Sequence, residues 1–168
     1  KVIVCHVLRY TAFYNQLKEL ISGGRIGDVV SVCANENVGY WHQAHSFVRG
    51  NWRNSRESSP MILQKSCHDM DILTWLLGKR CKAVSSFGGT QLFKAARAPE
   101  GAALRCLDGC KAKENCPFDA EKIYITSPKT GRAMGDSWIT SVLSVENTVE
   151  STYKALREGP YGRCVYHC

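Results

Sequence analysis

The chain has 168 residues, 44% hydrophobic and 22% charged, which is the composition of an ordinary globular protein rather than a disordered or fibrous one. Its net charge of +7 comes from scattered Lys and Arg with no dense tract that would follow a phosphate backbone, so nucleic acid is not expected as a partner. No apolar run approaches the ~18–20 residues of a membrane span and no secretory signal pattern is present, so a cytoplasmic protein without a membrane partner is expected.

The opening "KVIVCHV" alternates β-branched residues and predicts a short buried strand. "TAFYNQLKELISGGRIG" then places Phe13, Leu17, Leu20 and Ile21 at helical spacing, with Thr11 as N-cap and Gly23-Gly24 as the stop. "DVVSVCANENVGYW" predicts a second strand with Val30, Val32 and Ala34 on one side. Residues 40–54, "YWHQAHSFVRGNWRN", hold two Trp, two His and two Arg without a clean period. That composition suits a loop or short helix lining a pocket, or equally a connection whose aromatics pack on the core. Ser59 as N-cap and Pro60 at the first helical position should launch a helix that ends at Gly78. "KAVSSFGGTQLF" reads as a strand, residues 96–122 as a cysteine-bearing loop, and "EKIYI" as a short strand or helical turn. A last helix carries Val149, Tyr153 and Leu156 on one face and stops at Gly159-Pro160. The chain begins at Lys1 and ends inside a strand-like "GRCVYHC", so it reads as an excerpt of a longer protein. Strands and helices mix without strict βαβ alternation, which predicts an α+β fold: an open, mostly antiparallel or mixed sheet with helices on one face. No Gly-x-Gly-x-x-Gly loop is present.

The helix at 62–78 is unusual in carrying Lys65, His68, Asp69 and Asp71 within a hydrophobic stretch. At about 100° per residue, His68, Asp71 and Trp75 fall within about 40° of Gln64, with Lys65 at the edge of that stripe. Ile62, Leu63, Met70, Leu73 and Leu77 take the opposite, core side, and Asp69 lies away from the stripe. A histidine exchanges protons near neutral pH, a carboxylate three residues on could orient it, and a lysine could polarise a substrate oxygen. The plain alternative is an amphipathic helix with a wet polar face, against which Trp75 argues mildly.

Nine cysteines are many for this length. Cys106, Cys110 and Cys116 form C-x3-C-x5-C, and Cys164 and Cys168 a second C-x3-C. Such spacing suits a structural zinc tying residues 96–122 to 160–168. An iron–sulfur cluster, a disulfide and free thiols stand beside it as readings. Cys5, Cys33, Cys67 and Cys81 sit in strand or helix contexts and are expected to be buried hydrophobes.

Taken in order, "GRIGDVVSV", "NWRN" and "HDMDILTWLLG" resemble the Gfo/Idh/MocA oxidoreductases, and "RCLDGC", "ENCP" and "GRCVYHC" look like one subgroup of that family. The resemblance implies an N-terminal Rossmann domain for NAD or NADP followed by a C-terminal α+β domain that shapes the substrate site and often mediates homo-oligomers. Residues 1–10 would be the last Rossmann strand and its exit, and 11–168 most of the C-terminal domain. The family's Asp-x-x-x-His pattern places its acid/base at His68, with Gln64 where the aspartate usually stands and Lys65 as the nearest substitute. Arg9 and Tyr10 match an Arg–aromatic pair near the cofactor. Tyr40, Trp41, His42 and Trp52 would wall the pocket, with Gln64 and Asp71 also facing a substrate. The implied function is hydride transfer to or from a sugar, cyclitol or related polyol, with the excerpt inactive alone. NAD-assisted glycoside cleavage and a metal-stapled binding or oligomerisation domain without chemistry are the alternatives.

Overall fold

The computed structural model describes residues 1–168 as two compact units, residues 1–37 with 60–87, and residues 38–59 with 88–168. Regular structure is helical throughout: α1 (Ala12–Ser22), α2 (Tyr40–Gln43), α3 (Met61–Gln64), α4 (Cys67–Leu77), α5 (Trp138–Ser141) and α6 (Val149–Glu158), joined by single 3₁₀ or π turns. No helix is long and apolar enough to cross a membrane.

The expected open sheet does not form. The β-pairing is a single isolated antiparallel bridge between Arg105 and Arg163. Residues 1–6, 29–39 and 79–90 have no regular secondary structure, and Val2, Val4, Val30 and Phe87 on them are each more than 90% exposed. Alternation marks a residue's fitness for a pleated, half-buried surface, and it produces a strand only where a paired neighbour and a facing layer exist. For the same reason Cys5, Cys33 and Cys81, expected to be buried, are exposed, and Cys67 is half-buried.

In the first unit α1 follows its sequence signals. Thr11 Oγ1 accepts the Tyr14 N–H at 3.4 Å, and the Gly23 N–H closes the helix on Glu19. The left-handed residue that follows is Gly24 (φ 68°), not Gly23. The helix expected over 62–78 is two helices. Pro60 is itself the N-cap, and Ser59 Oγ is buried without a hydrogen bond instead of capping. The chain breaks at Lys65-Ser66, restarts at Cys67 and ends at left-handed Gly78. The break resets the register, so one wheel drawn through both pieces misassigns their faces. Ile72 and Leu76 are the buried residues of α4, whereas Ile62, Leu63 and Met70 are exposed. Lys18 Nζ donates to the Trp75 and Leu76 carbonyls at 2.7 and 3.0 Å, satisfying orphan acceptors at the negative end of α4.

The second unit packs α6 over Ile139, Tyr124 and Tyr161. Its start is a capping box: Ser151 N–H donates to Thr148 Oγ1 at 3.1 Å and Thr148 N–H to Ser151 Oγ at 3.0 Å. Leu156 is fully buried, with Val149 and Tyr153 packed beside it, as the periodicity predicts. The "EKIYI" segment is a π turn at Lys122–Thr126 that buries Ile123, Tyr124 and Ile125. A second cluster joins Ala44, Phe118, Cys164, Val165 and Tyr166.

His45 is buried here, its ring stacked on Tyr161 at 4.9 Å and its Nδ1 sharing a 3.0 Å hydrogen bond with the Tyr124 hydroxyl. Burial, then the charges of Arg49 and His42, hold its pKa down to about 4, and burial pushes Tyr124 up to about 12. An unfolded histidine titrates near 6.5. The unfolded chain therefore binds this proton first, and stability falls as pH drops from about 6.5 to 4, by up to ~3 kcal/mol. Urea melts of the wild type and His45→Gln across that window should show a steeper acid loss for the wild type. Parallel curves would refute the assignment.

Candidate active site

The interruption between α3 and α4 places Lys65 in the break and His68 in the first turn of α4. Lys65, His68 and Asp69 border a cavity of about 300 Å³, with Leu8, Tyr14 and Glu36 among its other walls. Lys65 Nζ lies 3.6 Å from Glu36 Oε1. His68 is half-buried, its Nδ1 fully shielded and without a hydrogen-bond partner. The His6 ring packs edge-on against it at 5.5 Å. A buried imidazole nitrogen left unsatisfied is costly in a purely structural role.

Asp71 does not orient His68 through a hydrogen bond. Both of its oxygens are taken by Arg9, at 2.7 Å from Nε and 2.5 Å from Nη2. The Arg9 hydrogen bond and charge, with smaller help from His6 and His68, hold the Asp71 carboxyl below the usual range, and the same hydrogen bond raises Arg9. Arg9 also sits 6.0 Å over the Trp75 ring. Of the Arg9–Tyr10 pair, one side chain is thus committed to Asp71 and the other is 74% exposed. Gln64 ends α3, half-buried, and does not border the His68 cavity. Asp69, expected away from the stripe, borders that cavity because the register restarts at Cys67. Sequence reasoning missed His6 and Glu36, which reach the site from segments distant in the chain. No local spacing announces such partners.

In the second unit Tyr40 and Trp41 border a cavity of about 610 Å³, together with Glu114, Lys122, Ser127 and Lys129. His42 stacks on Trp41 at 5.5 Å and meets Trp138 edge-on at 5.1 Å. Trp52 is 44% exposed and borders neither cavity. All nine cysteines are free thiols.

The sequence matches the profile described as "Oxidoreductase family, C-terminal alpha/beta domain" over residues 18–127. It is 32% identical over 123 residues to "Putative oxidoreductase YteT" of Bacillus subtilis (strain 168), a match covering 70% of this chain and 28% of that protein. No solved structure matches it. The profile covers well over half of the chain, and the relative extends the match at a level of identity that chance does not produce. The chain therefore belongs to the Gfo/Idh/MocA oxidoreductase family and matches its C-terminal domain.

Proposed function

We propose that this chain is the substrate half of a nicotinamide-dependent oxidoreductase that transfers hydride to or from a sugar, cyclitol or related polyol, with His68 as its acid/base. The observation that carries the reading is His68, an imidazole that borders a cavity also presenting Lys65, Glu36 and Asp69. A bound nicotinamide supplies the hydride chemistry. Residues 1–168 contain no glycine-rich phosphate loop, and Arg9 is held by Asp71, so the exposed Tyr10 is the residue of that pair left to meet the cofactor's edge.

The work left to this chain is proton handling and orientation. A neutral imidazole can accept a proton at one ring nitrogen, so His68, through the edge of its ring that borders the cavity, takes the proton of a carbinol hydroxyl during oxidation and returns it during reduction. Lys65, held by Glu36, presents a cation that favours the developing alkoxide. Gln64 cannot titrate, so the proton passes through His68 and not through a neighbouring carboxylic acid at that position. The hydroxyl-rich substrate class rests on the polar walls of this cavity, which present Lys65, Glu36 and Asp69 beside His68.

The test is a screen of the full-length protein for nicotinamide reduction against a panel of polyols, cyclitols and glycosides. Turnover with a free polyol supports the reading. Glycoside cleavage without net cofactor reduction would replace it with the transient-oxidation alternative. No turnover of any panel member by protein shown to bind NAD or NADP would remove it.

A further inference from the structure

We infer that Cys106, Cys110, Cys116 and Cys164 form a four-thiolate site for a single zinc ion, with buried Arg49 as its countercharge.

The backbone brings the two cysteine segments together. Besides the Arg105–Arg163 bridge, Cys106 N–H donates to the Gly162 carbonyl and Cys164 N–H to the Leu104 carbonyl, each at 2.9 Å. The four cysteines then border one small cavity of about 10 Å³, otherwise walled mainly by apolar residues such as Phe118 and Val165. Cys106 and Cys164 are buried, and Cys110 and Cys116 half-buried. A space of that size holds about one small sphere, so a single ion suits it and a four-iron cluster does not. Four soft sulfur donors around one ion are the donor set of a closed, tetrahedral zinc site. No group of three or more His, Cys, Asp or Glu side chains stands in metal-ligand geometry in this structure, so binding requires the four cysteine side chains to turn inward. As each S–Zn bond forms, its thiol proton leaves to solvent. Four protons depart, and the site carries two negative charges with no change of oxidation state.

Arg49 independently points to an anion at this place. Its side chain is completely buried, and a guanidinium does not lose its proton. Nη1 contacts Cys106 Sγ at 3.8 Å and donates to the Arg163 carbonyl at 3.3 Å, the guanidinium lies 5.2 Å from the Tyr124 ring centroid, and Nε and Nη2 have no hydrogen-bond partner. No carboxylate pairs with it. Asp119 also borders the cavity, but its Oδ1 accepts the Lys122 N–H at 2.9 Å. A buried cation compensated only by a ring face, a thiol and a carbonyl favours an anion beside it, and a zinc tetrathiolate at Cys106 provides one. Cys168 is not part of the set. It is exposed, lies off the cavity, and its thiol donates to the Cys164 carbonyl at 3.2 Å.

The test uses the full chain, reduced and loaded with zinc, then freed of loosely held metal. About one equivalent of zinc is expected, along with a thiolate-to-cobalt charge-transfer band after cobalt exchange. Cys164→Ser and Cys116→Ser should each weaken zinc retention at least ~10-fold, whereas Cys168→Ser retains it. Because ligand variants can fail to fold, the wild-type protein is also alkylated with and without zinc and mapped by mass. Zinc should shield Cys106, Cys110, Cys116 and Cys164 and leave Cys5, Cys33, Cys81 and Cys168 reactive. Less than ~0.2 equivalents, labelling of the four cysteines unaffected by zinc, or iron with acid-labile sulfide in place of zinc would each overturn the inference.

Discussion

His68→Ala, made in the full-length protein, is expected to lower kcat by at least ~100-fold, the low end of what a positioned acid/base contributes. The proton of the reacting hydroxyl has to leave as hydride departs, and His68 is the imidazole among the titratable side chains that border the cavity. Lys65 and Glu36 are paired with each other, and Asp71 is held by Arg9. His68→Gln should fall as far, since glutamine keeps hydrogen-bonding capacity but cannot carry a proton. The thermal midpoint should fall only modestly in either variant, because the half-buried ring gives up its edge contact with His6 while its shielded Nδ1 loses no hydrogen bond. Steady-state kinetics beside a thermal melt decides it. Near-normal turnover in a folded His68→Ala protein would end the assignment, and a collapse of the melt would recast His68 as structural.

Gly162→Ala is expected to destabilise the second unit by ~3 kcal/mol, the upper end of overpacking costs. A Cβ there would stand 1.8 Å from the Leu156 carbonyl oxygen, which belongs to the backbone of α6 and has no rotamer to change. Relief would have to move α6 or the 160–162 turn, and Gly162 also accepts the Cys106 N–H through its own carbonyl. The thermal midpoint should drop by roughly 6–12 °C, at about 2–4 °C per kcal/mol for a chain of this size. Gly88→Ala, where an added Cβ meets nothing, is the control and should melt with the wild type. Indistinguishable midpoints for the two variants would show that the 156–162 packing is looser than these contacts imply.

Helices α1 and α6 were legible because their signals are local. Thr11, Gly23 and Gly159 act within one turn of the helix end they mark, and the periodic faces need only one core to meet. The strands were not, because "KVIVCHV" and "DVVSVC" state only a preference for a pleated surface and pairing depends on neighbours elsewhere in the chain. The helix expected at 62–78 lies between these cases. Its polar residues and its end at Gly78 were visible, but the break at Lys65-Ser66 was not, so Asp69 and Met70 changed sides. His68 and the cysteine spacing were readable as chemistry-bearing residue types, and the order of motifs was enough to indicate the family. Which groups surround them was a tertiary decision. Glu36 reaching Lys65, Arg9 taking Asp71, and Arg49 buried against Cys106 are contacts between residues far apart in the chain. Long-range partners are selected by packing and charge compensation over the whole unit, and no short window of residues contains that information.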